Sequence, residues 1–156
     1  MMLLESRDAR NHTMAEIYKM GGSPDWTGTR LNLMCMTLDK HGLTLNASGS
    51  DEEVVVNLKS LAFRQMDEGD ALSIPWGQIE GMDYFFIGTV KNSNYLEWFV
   101  KQGSEIRTKK ELTHYFLAFN DDVVDVIAYE PPTVSRRPTL NLLQDQTTTA
   151  SLPTTR

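Results

Sequence analysis

The sequence predicts a mainly β protein with short helices: a partly open antiparallel β-barrel or sandwich of about six to eight strands, ending in a short C-terminal helix. Three observations carry that expectation. Leu43, Leu45 and Ala47 alternate with polar residues, and Val54, Val56 and Leu58 repeat the two-residue period that sets one side of a strand against a core. Polar clusters rich in Gly, Asp and Ser separate the apolar runs at turn spacing. Aromatic residues recur in alternating runs such as YLEWFVK and HYFLAF.

Taken in order, residues 1–28 read as a lead-in segment. Thr13-Met14-Ala15-Glu16 has the form of a capping box and Gly21-Gly22 of a helix stop, which predicts a short helix. Trp26 follows a loop and is expected to lie over the core. Residues 29–130 form a single β-rich domain. LNLMCMTL, the turn DKHG and LTLNA make a hairpin, and VVVNL adds a strand after an acidic loop. LKSLAFRQM fits either a strand or a helical turn. ALSIPW ends a strand at Pro75, which has no backbone donor, and a further strand runs from about Ile79 to Ile87.

YLEWFVK and HYFLAF follow as two more strands around the turn Gln102-Gly103-Ser104. In NDDVVDVIAYEPP, Asn120 or Asp121 can cap a helix and Val123, Val124 and Ile127 share a helical face. A helix is therefore expected over Asp121 to Tyr129, with strand as the competing reading. Residues 131–156 are rich in Thr, Ser and Pro and read as a disordered tail.

The 156 residues, 40% hydrophobic and 23% charged, suit one globular domain. No secretory leader or apolar run of about 18 residues is visible, so a cytoplasmic location is expected. The net charge is −6, and the last 24 residues carry three arginines against one aspartate, which leaves −8 on residues 1–132. Nucleic acid and anionic lipid both require clustered Lys and Arg, so the acidic body argues against a nucleic-acid partner and membrane contact is not favoured.

No motif specifies a cofactor or a metal, and none is expected. His12, His41 and His114 lack the short spacings of zinc ligands, and the single Cys35, set between Met34 and Met36, reads as a buried, inert thiol rather than a nucleophile served by His114. Acidic clusters at Asp51-Glu52-Glu53, at Asp67-Glu68 with Asp70, and at Asp121, Asp122 and Asp125 read as solvated loops or helix caps. Lys101, Arg107, Lys109 and Lys110 form the one basic neighbourhood of the domain and are the candidate anion site. Arg136-Arg137-Pro138-Thr139 makes Thr139 a candidate phosphosite, and Leu140, Leu142 and Leu143 just beyond it suit a docking peptide.

His41-Gly42-Leu43-Thr44-Leu45, followed by Leu72-Ser73-Ile74-Pro75-Trp76-Gly77-Gln78-Ile79-Glu80-Gly81-Met82, resembles the pleckstrin-homology-like superfold, in particular its bacterial and GRAM-type members. The resemblance covers roughly residues 28–129. It implies an Ile-Pro-Trp corner between strands and a C-terminal helix plugging the barrel, which Asp121 to Tyr129 would supply. Asp39-Lys40-His41-Gly42 has one lysine where the phosphoinositide-binding members of that superfold place several basic residues.

The expected function is a non-enzymatic adaptor that docks a protein or peptide partner through an edge strand or groove, with Tyr95, Trp98 and Phe99 as the contact residues. The alternatives are an anionic-membrane adaptor using the basic turn, and a divalent-metal enzyme using carboxylates such as Asp121 and Asp125.

Overall fold

The computed structural model describes residues 15–21, 25–26, 28–71, 74, 79, 85–104 and 106–139. Among them the elements run β1 (Glu16–Lys19), β2 (Asn32–Asp39), β3 (Gly42–Ser48), β4 (Glu52–Leu58), β5 (Ser60–Asp67), a 3-10 turn (Glu68–Asp70), β6 (Phe86–Lys91), α1 (Asn94–Gln102), β7 (Thr113–Ala118), β8 (Asp122–Ala128) and β9 (Thr133–Pro138). The strands form two antiparallel sheets, one ordered β1-β6-β7-β8-β5 and the other β2-β3-β4-β9. The mainly β class is the one expected, realised as two sheets rather than a closed barrel.

The sheets are joined at a corner. The chain passes from β4 to β5, and so from one sheet to the other, through the single residue Lys59, and from β8 to β9 through residues 129–132. Because β4 pairs with β9 and β5 with β8, these four strands form one bent two-stranded ribbon shared by both sheets. Lys59 Nζ lies 2.9 Å from Glu130 Oε2 across the bend, an exposed pair that contributes little by itself.

The main core fills the space between the sheets. Leu43, Leu45 and Ala47 of β3 and Val54, Val56 and Leu58 of β4 face Ile87, Tyr115, Leu117, Val124, Val126 and Ala128 of the other sheet. Trp26 lies over this core as expected, edge-on to Phe85 with ring centres 4.7 Å apart and with the Arg136 guanidinium above it. The outer face of the five-stranded sheet is also covered. Ala71, Ile74 and Ile79 pack with Phe86, Phe116, Ala118 and Val123, while α1 lays Leu96, Phe99 and Val100 over Ala62 and Ile127.

Five segments differ from expectation. Ala71, Ile74 and Ile79 lie in no strand, so the strands expected to run up to Pro75 and from about Ile79 are not formed there, and β6 begins only at Phe86. Residues 16–19 extend the large sheet as β1 beside β6 instead of forming a lead-in helix, and the capping residues Thr13 and Met14 lie outside the described residues. YLEWFVK is helical because Ser93 caps it, its Oγ accepting from Leu96 N at 2.9 Å, and Gly103 closes it. The expected C-terminal helix is strand β8. This strand lies between β7 and β5 and is covered on both faces, so its near-continuous apolar run is that of a doubly buried strand. Residues 133–138 belong to the sheet as β9 beside β4, so the domain extends past the expected boundary at residue 130.

LKSLAFRQM resolves as strand β5, with a bulge at Leu61. Cys35 is exposed rather than buried, because the β2 register shifts between Leu33 and Cys35 and β2 is an edge strand. Pro75 and Trp76 of the corner motif, His12 and the tail from residue 140 lie outside the described residues.

Candidate functional site

Helix α1 organises both candidate sites. Its apolar stripe faces the sheet, and clefts of about 610 and 630 Å³ open on its two sides. The first cleft is an apolar groove. One wall is the β5 segment Ser60, Leu61, Ala62 and Phe63, and the other is Tyr95, Trp98, Phe99, Val100 and Gln102 of α1. Leu38 and Arg107 also line it.

The groove collects the three residues expected as partner contacts, although the expectation set them on a strand and they stand on a helix. Trp98 is 52% exposed and Leu38 60%, an unusual exposure for large apolar side chains in one cleft. Tyr95 stacks on Trp98 with ring centres 5.8 Å apart, and the Arg64 guanidinium lies 4.5 Å from the Tyr95 ring centre on the cation-π attraction. β5 ends the five-stranded sheet, so its outer backbone edge pairs with no strand among the described residues.

The expected basic neighbourhood is partly neutralised. Lys109 and Lys101 both reach Glu97 Oε1, at 3.0 and 3.7 Å. The hydrogen bond and charge of Lys109, then the charge of Lys101, hold the Glu97 carboxyl below its ordinary range. Arg107 donates from Nε to the Tyr129 hydroxyl at 2.8 Å, and Lys110 has no ion-pair partner among the described residues. Thr139 is poorly placed as a phosphosite. Its backbone N–H donates to Asp51 O at 3.0 Å at the end of β9, and its Oγ1 is buried without a hydrogen-bond partner among the described residues.

Beneath α1 runs a polar chain that the sequence reading did not assemble. Ser93 Oγ lies 2.7 Å from His114 Nδ1, His114 Nε2 lies 2.7 Å from Asp125 Oδ1, and Arg64 Nε donates to Asp125 Oδ2 at 2.6 Å. His114 and Asp125, exposed by 4% and 3%, are the buried polar side chains of the described core. Such groups are costly to bury unless fully partnered, and here each is. Burial is the largest influence on the Asp125 carboxyl and pushes it up. The hydrogen bond from His114, the charge His114 carries when protonated, and Arg64 together outweigh it, so the carboxyl titrates below its ordinary value.

The second cleft opens on this chain. Its lining includes Lys91, Ser93, Asn94, Glu97, Lys109 and His114. Tyr95 separates the two clefts: its ring meets His114 edge-on at 5.5 Å and Trp98 face-on.

The paired acids Asp121 and Asp125 do not converge. On an extended chain, residues four apart are separated by about 13 Å, and Asp125 is engaged by Arg64 and His114. Among the described residues no group of three or more His, Cys, Asp or Glu side chains could hold a metal ion, and no helix is long and apolar enough to cross a membrane. Cys35 is exposed on β2 and both ring nitrogens of His114 are taken by Ser93 and Asp125, so the two form no nucleophile and base pair. Comparison with family models, with curated proteins and with solved structures finds no match for this chain.

Proposed function

We propose that the protein is a docking module that takes an extended segment of a protein partner along the free edge of β5. The observation that carries this is the coincidence, in one groove, of a strand edge that no described strand pairs and the exposed aromatic face of a helix. An edge strand offers a row of backbone donors and acceptors to an added strand. The adjoining pockets then select alternate side chains of that strand. Trp98, Phe99 and Leu38 suit apolar side chains. The guanidinium of Arg107, whose donors other than Nε have no partner among the described residues, suits a carboxylate.

Leu140, Leu142 and Leu143, just beyond β9, are an unsuitable occupant. Pro138 pairs with Glu52, so β9 leaves the bend and ends about 20 Å along β4 from Leu58. Leu143 lies only four residues past Thr139, a reach of at most about 14 Å.

The test is a display selection of random dodecapeptides on the full chain, followed by hydrogen exchange and titration. Enriched peptides are expected to alternate apolar residues and carry an acid, to protect the backbone amides of β5, and to bind at least tenfold more weakly to Trp98→Ala. Failure to enrich any peptide, or protection confined to the other edge strands β1, β2 or β9, would refute the proposal.

A further inference from the structure

The polar chain beneath α1 has the geometry of an activated nucleophile. Asp125 accepts from His114 Nε2, which places the proton of the neutral imidazole on Nε2 and leaves Nδ1 as an acceptor. Ser93 Oγ already accepts the Leu96 N–H, so its own proton is free to point at Nδ1, 2.7 Å away. Arg64 occupies the second oxygen of Asp125 and fixes the carboxylate that orients the ring. A nucleophile bonded to a base, and a base oriented by a third group, is the arrangement that serine acyl transfer requires. Here the two ring nitrogens exchange their usual partners, which leaves the proton path from Oγ to imidazole intact.

We propose that Ser93, with His114 as general base and Asp125 as the orienting carboxylate, forms a covalent acyl-transfer centre for small carboxylic esters bound in the adjoining cleft. This centre is independent of the docking groove, which lies on the opposite side of α1. Ser93 Oγ attacks the ester carbonyl carbon and its proton passes to His114 Nδ1. The C–O bond to the alcohol then breaks, and the departing oxygen takes that proton. Water attacks the acyl-serine by the same route in reverse, giving the acid and restoring Ser93. The N–H groups of Asn94 and Tyr95, in the first turn of the helix that Ser93 caps, have no intrahelical acceptor and are the donors available to a carbonyl oxygen as it gains charge. The cleft of about 630 Å³ is of the size that holds small ligands.

The test is treatment of the folded full chain with an alkyl fluorophosphonate, read by intact mass and peptide mapping. Attack by Ser93 Oγ displaces fluoride and is expected to leave one phosphonyl group, on Ser93. Ser93→Gly should abolish the adduct while keeping most of the helix cap, since glycine at that position is nearly as favourable as serine. His114→Gln should label at least tenfold more slowly with an unchanged circular dichroism spectrum. A second readout is hydrolysis of p-nitrophenyl acetate, expected to exceed the rate given by the same concentration of Ser93→Gly. Absence of an adduct on Ser93 in the folded wild-type chain overturns the proposal whatever the variants do. Equal labelling rates in wild type and a folded His114→Gln variant also overturn it.

Discussion

Arg64 and Asp125 are Cα partners across the β5–β8 ladder, and Arg64 Nε meets Asp125 Oδ2 at 2.6 Å. The pair is asymmetric: the Arg64 side chain is about half exposed, whereas the Asp125 side chain is almost wholly buried. Loss of the carboxylate therefore leaves a buried imidazole without its acceptor. Loss of the arginine leaves a carboxylate that still accepts from His114. Asp125→Ala is expected to lower unfolding free energy by about 3–5 kcal/mol, the range for breaking one side of a buried charged network. Arg64→Ala should cost clearly less, and urea unfolding of both variants checks the order.

The same carboxylate sets the acid limit. Its folded-state pKa is lowered, so between the folded and unfolded values the unfolded chain binds more protons and acid favours unfolding. The contribution of Asp125 is complete above its unfolded value, about 3.9, and is lost as pH falls through the lower folded value. Thermal unfolding followed from pH 6 down to pH 2 should show a loss of stability in wild type that is smaller in Asp125→Asn.

Gly42 opens β3 with φ +129°, and a Cβ there would lie 2.2 Å from Leu58 O. Gly42→Ala must strain the backbone and displace the β4 end of the corner. A loss of at least about 1–3 kcal/mol is expected from the backbone conformation alone, measured by chemical denaturation.

Trp98 and Leu45 give opposite expectations for two large apolar residues. Leu45 is fully buried between the sheets, and Leu45→Ala should cost about 2–5 kcal/mol through the cavity left behind. Trp98→Ala, on the groove wall, should change stability by less than about 1 kcal/mol, as exposed positions do. A large thermal shift in Trp98→Ala would mark the residue as structural and remove it from the docking surface.

The strands whose two faces differ were legible: β3 and β4 alternate cleanly because one face meets the core and the other is more exposed. The β8 run suits a helix as well as a strand because both its faces are covered, and an unbroken apolar run has no period to distinguish the two. YLEWFVK alternates superficially, yet Ser93 three residues before Leu96 and Gly103 after Gln102 were capping signals that outweigh the alternation. The expected contacts Tyr95, Trp98 and Phe99 share a groove even so, because positions 95, 98 and 99 lie at helical spacing along the side of α1 that borders β5. The Ser93, His114, Asp125 and Arg64 chain had no local pattern. Its members come from four separate parts of the sequence, and the β5–β8, β7–β8 and β6–β7 pairings bring them together.

The bent ribbon also bears on when the protein can fold. Glu52 and Arg136 meet at 2.6 Å although 84 residues separate them, and β5 and β8 are nearly as remote in sequence. Pairings of that separation close large loops before they return any contact energy, which places the chain among the slower-folding topologies. During synthesis, β4 has no partner on its β9 side until residue 138 has left the ribosome. Until then its Glu52–Asn57 edge is open to other nascent chains, and β9, the last strand among the described residues, is what covers it.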